Sequence, residues 1–173
     1  DLPNARLTKP WARRKLAELV ADRGTYRDLE EALALIRQNA LADGSLASHD
    51  AQLEITLLVN RPEPASWARA IEVIEQLEQQ QPLSTGQRLT LAGLLEKAGR
   101  WDEARDELLS IVAAPNAPPP VIGMLVEKLI DHDEIANARV WLKRLATVAP
   151  TAMVTVALEA RIAAATNDRA AAA

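Results

Sequence analysis

The chain has 173 residues, a formal net charge of −4 and an apolar fraction of 49%. It contains no cysteine, which excludes disulfides, thiolate nucleophiles and cysteine-based metal sites. The negative charge disfavours a general nucleic-acid surface, and abundant alanine and leucine with only 3% aromatic residues favour an all-α fold.

No apolar run in the sequence approaches the roughly 18 residues of a membrane-spanning helix. A signal peptide is not recognisable, and the chain starts at Asp1 without an initiator methionine. We therefore expect a processed chain or an excised fragment of a longer protein, and its sequence does not tell whether the native protein carries an address signal. Cytoplasmic and exported locations both stay open.

The first predicted helices follow an extended lead-in over residues 1–9. Pro10 suits a first helical position, and the apolar spacing predicts a helix over residues 11–23. Gly24 and Thr25 end it. A second helix is predicted over 27–41, followed by a loop over 42–45.

The next segment, residues 50–60, is ambiguous. Its apolar residues alternate as they would in a half-buried strand, at Leu53, Ile55, Leu57 and Val59. A single strand would have no pairing partner in this chain, so we predict a helix. His49 and Asp50 resemble a helix start, with Asp50 or Ser48 as the cap.

The remaining helices are predicted over 67–80, as a pair within 89–112, and over 121–131, 135–148 and 151–166. Gly99 suits the left-handed residue that closes the first helix of the pair. Asp102 and Glu103 place negative charge in the first turn of the second helix. A turn at Asn167 and Asp168 and the start of another helix over 169–173 are also predicted.

An internal repeat runs through most of the chain. Its alanine column has evenly spaced members, Ala70, Ala104, Ala138 and Ala172. Large apolar residues follow the first three alanines at constant distances, at Ile74, Leu108 and Leu142 and at Leu77, Ile111 and Leu145. A leucine column precedes them at Leu57, Leu91 and Leu125. Agreement across several columns indicates a repeated helical pair.

This framework resembles the tetratricopeptide repeat, a helix-turn-helix unit of about 34 residues with small residues where its helices cross. The matching elements are Ala104 with Leu108, and Leu91-Ala92 with Leu95, whereas Arg61 falls where an apolar group is expected. The resemblance implies a right-handed α-solenoid of antiparallel helix pairs that forms a single domain over 1–173. Its units would be residues 10–41, 48–82, 85–115 and 119–150, with a partial unit at 151–173.

No catalytic or metal-binding pattern is legible, so we expect neither an enzyme nor a bound cofactor or metal. Adjacent residues of a helix end point in different directions, so Asp131, His132 and Asp133 are interpreted as helix-terminating groups rather than metal ligands. Two charged clusters are interpreted as solvated helix faces, Lys9, Arg13, Arg14 and Lys15, and Glu72, Glu75 and Glu78. Trp67 and Trp101 share a repeat column and are predicted to pack between helices, whereas Trp11 and Trp141 are less constrained.

Arrays of this kind bind peptides or partner proteins on a concave surface lined by the first helix of each pair. Mapped onto this sequence, the resemblance implies a groove drawn from Ile55, Val59, Leu89, Gly93, Glu96, Lys97, Glu127, Ile130 and Arg161. The predicted function is a protein-interaction scaffold. The alternative is a regulatory or substrate-recruiting arm of a larger enzyme whose catalytic domain lies elsewhere.

The C-terminal end of the array carries a further expectation. A solenoid needs a polar cap on its terminal repeat, and the alanine-rich stretch 160–173 supplies none. We therefore expect either a continuing chain in the native protein or self-association through this end.

Overall fold

The computed structural model describes residues 9–41 and 44–172, of which 167–172 are described by their backbone alone. These residues form nine α-helices and no β-strand, which confirms the predicted all-α fold. In chain order they are α1 (Pro10–Ala21), α2 (Tyr26–Arg37), α3 (Ser48–Val59), α4 (Pro64–Gln80), α5 (Thr85–Lys97), α6 (Trp101–Val112), α7 (Pro119–Asp131), α8 (Ile135–Val148) and α9 (Met153–Ala172).

The helix starts follow from local chemistry. A proline opens α1, α4 and α7, where its fixed φ suits the first turn and its missing N–H costs nothing. α5 begins at Thr85, before the predicted start at Leu89, because Ser84 and Gln87 form a reciprocal capping box. The Ser84 hydroxyl accepts from the Gln87 N–H, and the Gln87 side chain accepts from the Ser84 N–H.

Two helices end in the same backbone motif. The two ends are as far apart in the sequence as successive repeat alanines, such as Ala70 and Ala104. Gly99, after α5, has φ +76°, and Asp133, after α7, has φ +64°. In both cases the next N–H donates to a carbonyl five residues back, at 2.8 Å from Arg100 to Leu95 and from Glu134 to Leu129. This pattern closes a helix through a left-handed residue, as predicted at Gly99.

The ambiguous segment is helical, as predicted, but its start differs from the prediction. The N-cap of α3 is Ala47, and no side chain caps the helix, so the expectation that Asp50 or Ser48 does so is wrong. The Asp50 carboxylate is instead buried and bonded to Arg14 of α1, with 2.6 Å between Oδ1 and Nε. The Asp50 carboxylate, which the sequence predicted as a helix cap, thus forms an ion pair between two helices.

The C-terminal segment forms one helix, α9, which runs through positions 167 and 168. The predicted turn there, and the separate helix after it, are therefore wrong. Alanine, the strongest helix former, stands on both sides of the Asn-Asp pair and carries the helix through it. Residue 173, the loop positions 42 and 43, and most of the N-terminal lead-in lie outside the described residues.

The chain divides into two compact units, and their boundary falls inside α6, between Ala104 and Arg105. In the first unit α1 packs against α2 and α3 against α4, while α3 also contacts α1 and α2, and α5 contacts α4. In the second unit α7 packs against α8, and α9 contacts both. The prediction that residues 1–173 form a single repeat domain stays a prediction.

Each unit has an aliphatic core, in keeping with a sequence that lacks phenylalanine. The fully buried large apolar side chains of the first unit are Leu33, Ile36, Leu58, Ile74, Leu77 and Leu94, and those of the second are Val112, Ile122, Leu125, Leu129 and Leu145. Repeat alanines lie among them, with Ala70 and Ala138 fully buried and Ala104 1% exposed. Small side chains at these positions allow helix axes to approach closely.

None of the helices in the described part of the chain combines the length and the apolar character that a bilayer crossing requires.

Candidate functional site

The first helices of the first two pairs, α1 and α3, enclose an open groove of about 490 Å³. α1 contributes Trp11, Arg14, Lys15 and Glu18, and α3 contributes His49, Gln52, Leu53 and Thr56. The Trp11 side chain is 60% exposed, which is unusual for the largest apolar side chain in a protein. The groove therefore offers an aromatic surface with mixed polar walls.

The basic residues near this groove are engaged within the protein. Arg14 binds the buried carboxylate of Asp50, and Lys15 Nζ lies 2.5 Å from Glu18 Oε2. Arg13 turns away from the groove and donates to the Gln38 carbonyl at 2.8 Å. The interpretation of this cluster as a purely solvated face is therefore too simple, because two of its arginines join α1 to other elements.

The predicted groove residues of the first unit lie on α3 and α5. Ile55 is 3% exposed and belongs to the core, whereas Val59, Leu89, Gly93 and Glu96 are half-buried and Lys97 is exposed. The Lys97 ammonium lies 5.8 Å from the centre of the Trp67 ring. α3 and α5 meet through their glutamines, since Gln87 Nε2 donates to Gln52 Oε1 at 3.0 Å. The role of these six residues in partner binding stays a prediction.

The predicted residues of the second unit come together where α7 meets α9. Arg161 Nη1 lies 3.0 Å from Glu127 Oε1, and Arg161 Nη2 lies 2.7 Å from Asp131 Oδ1. Ile130 is half-buried on the same helix as Glu127. Glu127 also lines an open, mainly apolar groove of about 360 Å³, whose other walls include Gly123, Met124 and Val154.

A second kind of site lies between α2 and the start of α4, where the sequence predicted nothing. Glu54 of α3 is fully buried, and its Oε1 accepts from Arg69 Nε at 3.1 Å and from Arg37 Nε at 3.4 Å. This carboxylate thus joins α2, α3 and α4. The arginines face a pocket of about 250 Å³.

Arg61 also lines this pocket. Its side chain is only 6% exposed, and its guanidinium binds Glu30 at 2.6 Å and Glu63 at 3.3 Å while lying 4.6 Å from the centre of the Tyr26 ring. The Arg61 carbonyl accepts the indole N–H of Trp67 at 2.7 Å. The residue that departs from the repeat pattern is therefore held by four neighbouring side chains.

The arginines of this pocket keep their charge for identifiable reasons. Burial by itself would lower the pKa of Arg61, but hydrogen bonds to Glu30 and Glu63 outweigh burial and raise it above its ordinary value. Hydrogen bonding to Glu54 raises the pKa of Arg69, again against the effect of burial. Both guanidiniums are therefore permanent positive charges in the pocket wall.

The burial of Asp50 and Glu54 could have been predicted from the sequence if the segment is interpreted as a helix, but not if it is interpreted as a strand. If the segment alternates as a strand, Glu54 falls on the face opposite Ile55. On a helix, Asp50, Glu54 and Leu58 follow one another four residues apart and share the inner stripe. Charged residues on an apolar helical stripe indicate buried partners.

Other candidates from the sequence have structural roles in the described residues. Trp67 and Trp101 pack against the core of the first unit, as predicted. The three glutamates of the charged cluster on α4 each form an ion pair with an arginine. The pairs are Glu72 with Arg69, Glu75 with Arg100 and Glu78 with Arg88. The described part of the chain has no cluster of three or more carboxylate or imidazole side chains that could hold a metal ion.

Comparison of the chain with protein-family models, curated proteins and solved structures gave no match. The architecture itself defines the class at a coarse level. It is an all-helical fold of neighbouring helical pairs, compatible with a helical repeat.

Proposed function

We propose that this chain is a non-enzymatic scaffold for protein–protein interaction, built as a right-handed α-solenoid of tetratricopeptide-type units that repeat at about 34 residues. The first helix of each pair presents the surface that a peptide or partner protein binds. The partner is a protein rather than a nucleic acid, in keeping with the net charge of −4.

The repeat in this proposal is supported by helix ends and by buried alanines. Gly99 and Asp133 close their helices with the same pattern of hydrogen bonds. Ala70, Ala104 and Ala138 are all buried, and successive alanines are separated by the same interval as those two helix ends. Equivalent backbone and equivalent packing at one period are what stacked copies of a single unit require.

The observation that carries the proposed function is the groove between α1 and α3 with its exposed Trp11. Interfaces draw much of their binding energy from a few aromatic anchors that become buried on association. The second unit has a groove in the corresponding place, between the first helices α7 and α9. Two such grooves support binding along the first-helix surface.

Affinity capture from an extract of the source organism tests this proposal with a matched pair of variants. Trp11→Ala removes the indole that lines the groove, and Leu19→Ala removes a side chain of similar exposure, 65%, that lies on the same helix outside the groove lining. We expect a protein partner to be retained by the unmodified chain and by Leu19→Ala. Trp11→Ala should lose about tenfold or more in affinity, as an aromatic hot spot does.

Two outcomes would contradict the proposal. One is the absence of any saturable protein partner, combined with catalytic turnover by the chain itself. The other is equal retention by Trp11→Ala and Leu19→Ala, because binding would then not involve the groove. Circular dichroism of both variants checks that the helices are intact.

A further inference from the structure

The pocket between α2 and the first turn of α4 combines donors that the protein itself leaves unused. Ser66 is only 8% exposed and lines this pocket, yet its hydroxyl has no hydrogen-bond partner in the described part of the chain. Every fully enclosed side-chain nitrogen or oxygen among these residues does have a partner. The Ser66 hydroxyl must therefore open into the pocket.

The same reasoning applies to one nitrogen of Arg61. Its Nε and Nη1 bind Glu63 and Glu30, while Nη2 makes no hydrogen bond within the described residues. Since the side chain is 6% exposed and the residue lines the pocket, that nitrogen also faces the open pocket. A buried guanidinium group with an unused N–H pair is a strong donor for an anion.

Arg37 supplies a second set of free donors at the pocket. Only its Nε is engaged, through a 3.4 Å contact with Glu54, so both terminal amino groups are open and the side chain is 50% exposed. The first turn of α4 lies at the same place, since Ala65 and Ser66 both line the pocket. The positive end of that helix dipole adds to the attraction for an anion.

The charge and size of the pocket restrict which anion fits. Arg37, Arg61 and Arg69 line it together with Glu30 and Glu63, and Glu54 lies behind two of the arginines. Two glutamates in the wall disfavour a dianion, because like charges in a partly enclosed site repel strongly. The pocket volume of about 250 Å³ has room for a small group. A planar, singly charged carboxylate matches the paired N–H groups of a guanidinium.

From these contacts we propose that the pocket between α2 and α4 binds a small carboxylate, held by Arg37, Arg61 Nη2 and the Ser66 hydroxyl. The carboxylate belongs to a free organic acid or to the C-terminus of a peptide. This site shares no lining residue with the groove between α1 and α3 and does not depend on the function proposed for that groove.

Nuclear magnetic resonance titration of the full chain with sodium acetate tests the proposal, with sodium chloride and inorganic phosphate at matched ionic strength for comparison. We expect saturable shifts of the Ser66 amide and of the arginine Nε–H signals with acetate. Arg37→Gln should raise the Kd for acetate about tenfold or more, the loss expected for a charge-assisted donor. Ser66→Ala should raise it several-fold.

Arg27→Gln is the matched control, since Arg27 is exposed on the same helix, α2, and does not line the pocket. Its Kd for acetate should equal that of the unmodified chain. Arg37→Lys keeps the positive charge but loses the paired N–H groups of the guanidinium. Its Kd for acetate should therefore lie between those of the unmodified chain and of Arg37→Gln. Thermal unfolding of each variant separates loss of binding from loss of fold.

The source of the carboxylate is resolved by acetyl-dialanine with a free or an amidated C-terminus. Tighter binding of the free-terminus peptide than of acetate supports a peptide C-terminus, and tighter binding of acetate supports a free acid. The proposal is overturned if acetate gives no saturable shifts, if phosphate binds more tightly than acetate, or if Arg27→Gln weakens binding as much as Arg37→Gln.

Discussion

At the residue scale, the most informative feature is the charge inside α3. Asp50 and Glu54 occupy the inner stripe of a helix whose other inward residues are apolar. Burying a carboxylate without a partner is prohibitively costly, so each must be matched by a cation. Arg14 forms an ion pair with Asp50, while Arg37 and Arg69 form ion pairs with Glu54. These pairs select one arrangement of neighbouring helices.

Glu54→Gln should lower the free energy of unfolding by about 1.5–3 kcal/mol, the range for hydrogen bonds to charged groups. The loss should stay below the ~3–5 kcal/mol of stripping a fully buried ion pair, because Arg37 and Arg69 are 50% and 31% exposed and regain water. Urea denaturation measures the change. The control is Glu72→Gln, which removes an exposed partner of Arg69 and should cost less than about 1 kcal/mol. Equal effects of the two variants would contradict the assigned role of Glu54.

A second prediction at this scale concerns pH. Hydrogen bonds from Arg100 lower the pKa of Glu103, at distances of 2.5 and 2.6 Å. A carboxyl whose pKa is lower in the folded state stabilises the protein above its unfolded pKa, about 4.3 for glutamate. That stabilisation is lost as the pH falls through the folded value.

Unfolding free energies of the unmodified chain and Glu103→Gln should therefore differ at neutral pH and converge in acid. Asp106→Asn is the control, because Asp106 is an exposed carboxylate on the same helix. A stability difference for Glu103→Gln that grows toward low pH would refute the assignment. High salt should reduce the difference, since both side chains of the pair are exposed.

At the element scale, the helix boundaries depend on a few residues with special backbone chemistry. The capping box at Ser84 starts α5 earlier in the sequence than its apolar pattern does. The left-handed residue Gly99 closes α5 just before α6 begins. The long α9 shows the opposite case, because alanine on both sides overrides a potential turn. Local preferences therefore compete, and the stronger one sets the boundary.

Two glycine substitutions separate backbone conformation from packing. An added Cβ would meet no atom within 4 Å at either Gly93 or Gly99, so steric contact cannot distinguish them. Gly99→Ala should lower the free energy of unfolding by about 1–2 kcal/mol, because its φ of +76° is strained for alanine. Gly93→Ala, inside α5, should raise it by about 0.5–1 kcal/mol. Thermal or urea unfolding gives both values, and a shared sign would contradict this account of the two sites.

At the scale of the whole molecule, the start of α9 carries three exposed apolar side chains. Met153 is 86% exposed, Val156 58% and Val154 44%, although the chain is otherwise well supplied with charged residues. Neighbouring exposed apolar side chains can mark contact sites in soluble proteins. These side chains lie at the start of α9, whereas the sequence predicted self-association through the stretch 160–173, and that prediction stays a prediction.

We expect the chain to self-associate through α9 as its concentration rises. Sedimentation velocity over a concentration series measures this, with Met153→Glu and Val156→Glu introduced together to weaken it by charge repulsion and desolvation cost. Val140→Glu changes a valine of comparable exposure, 66%, on α8 and should leave the association unchanged. A chain that stays monomeric over the whole concentration series would contradict this prediction.

Helix positions could largely be predicted from the sequence because apolar periodicity, proline and glycine act locally. The range 135–148 was predicted as the structure has it, and α3 was assigned correctly despite its strand-like alternation. The predicted groove agrees with the structure less directly, since Ile55 is buried while the open groove of that helix is lined by His49, Gln52, Leu53 and Thr56. Which side of a helix stays exposed depends on its neighbours.

The sequence by itself therefore determined the all-α class, the order of the helices, and the columns of buried alanine and leucine. Only the tertiary structure decided that Arg61 is buried in a pocket wall and that Glu54 binds Arg37 and Arg69. The physical reason is the range of the interactions. Periodicity and capping involve residues within a few positions of one another, whereas these ion pairs form only after separate helices have packed together.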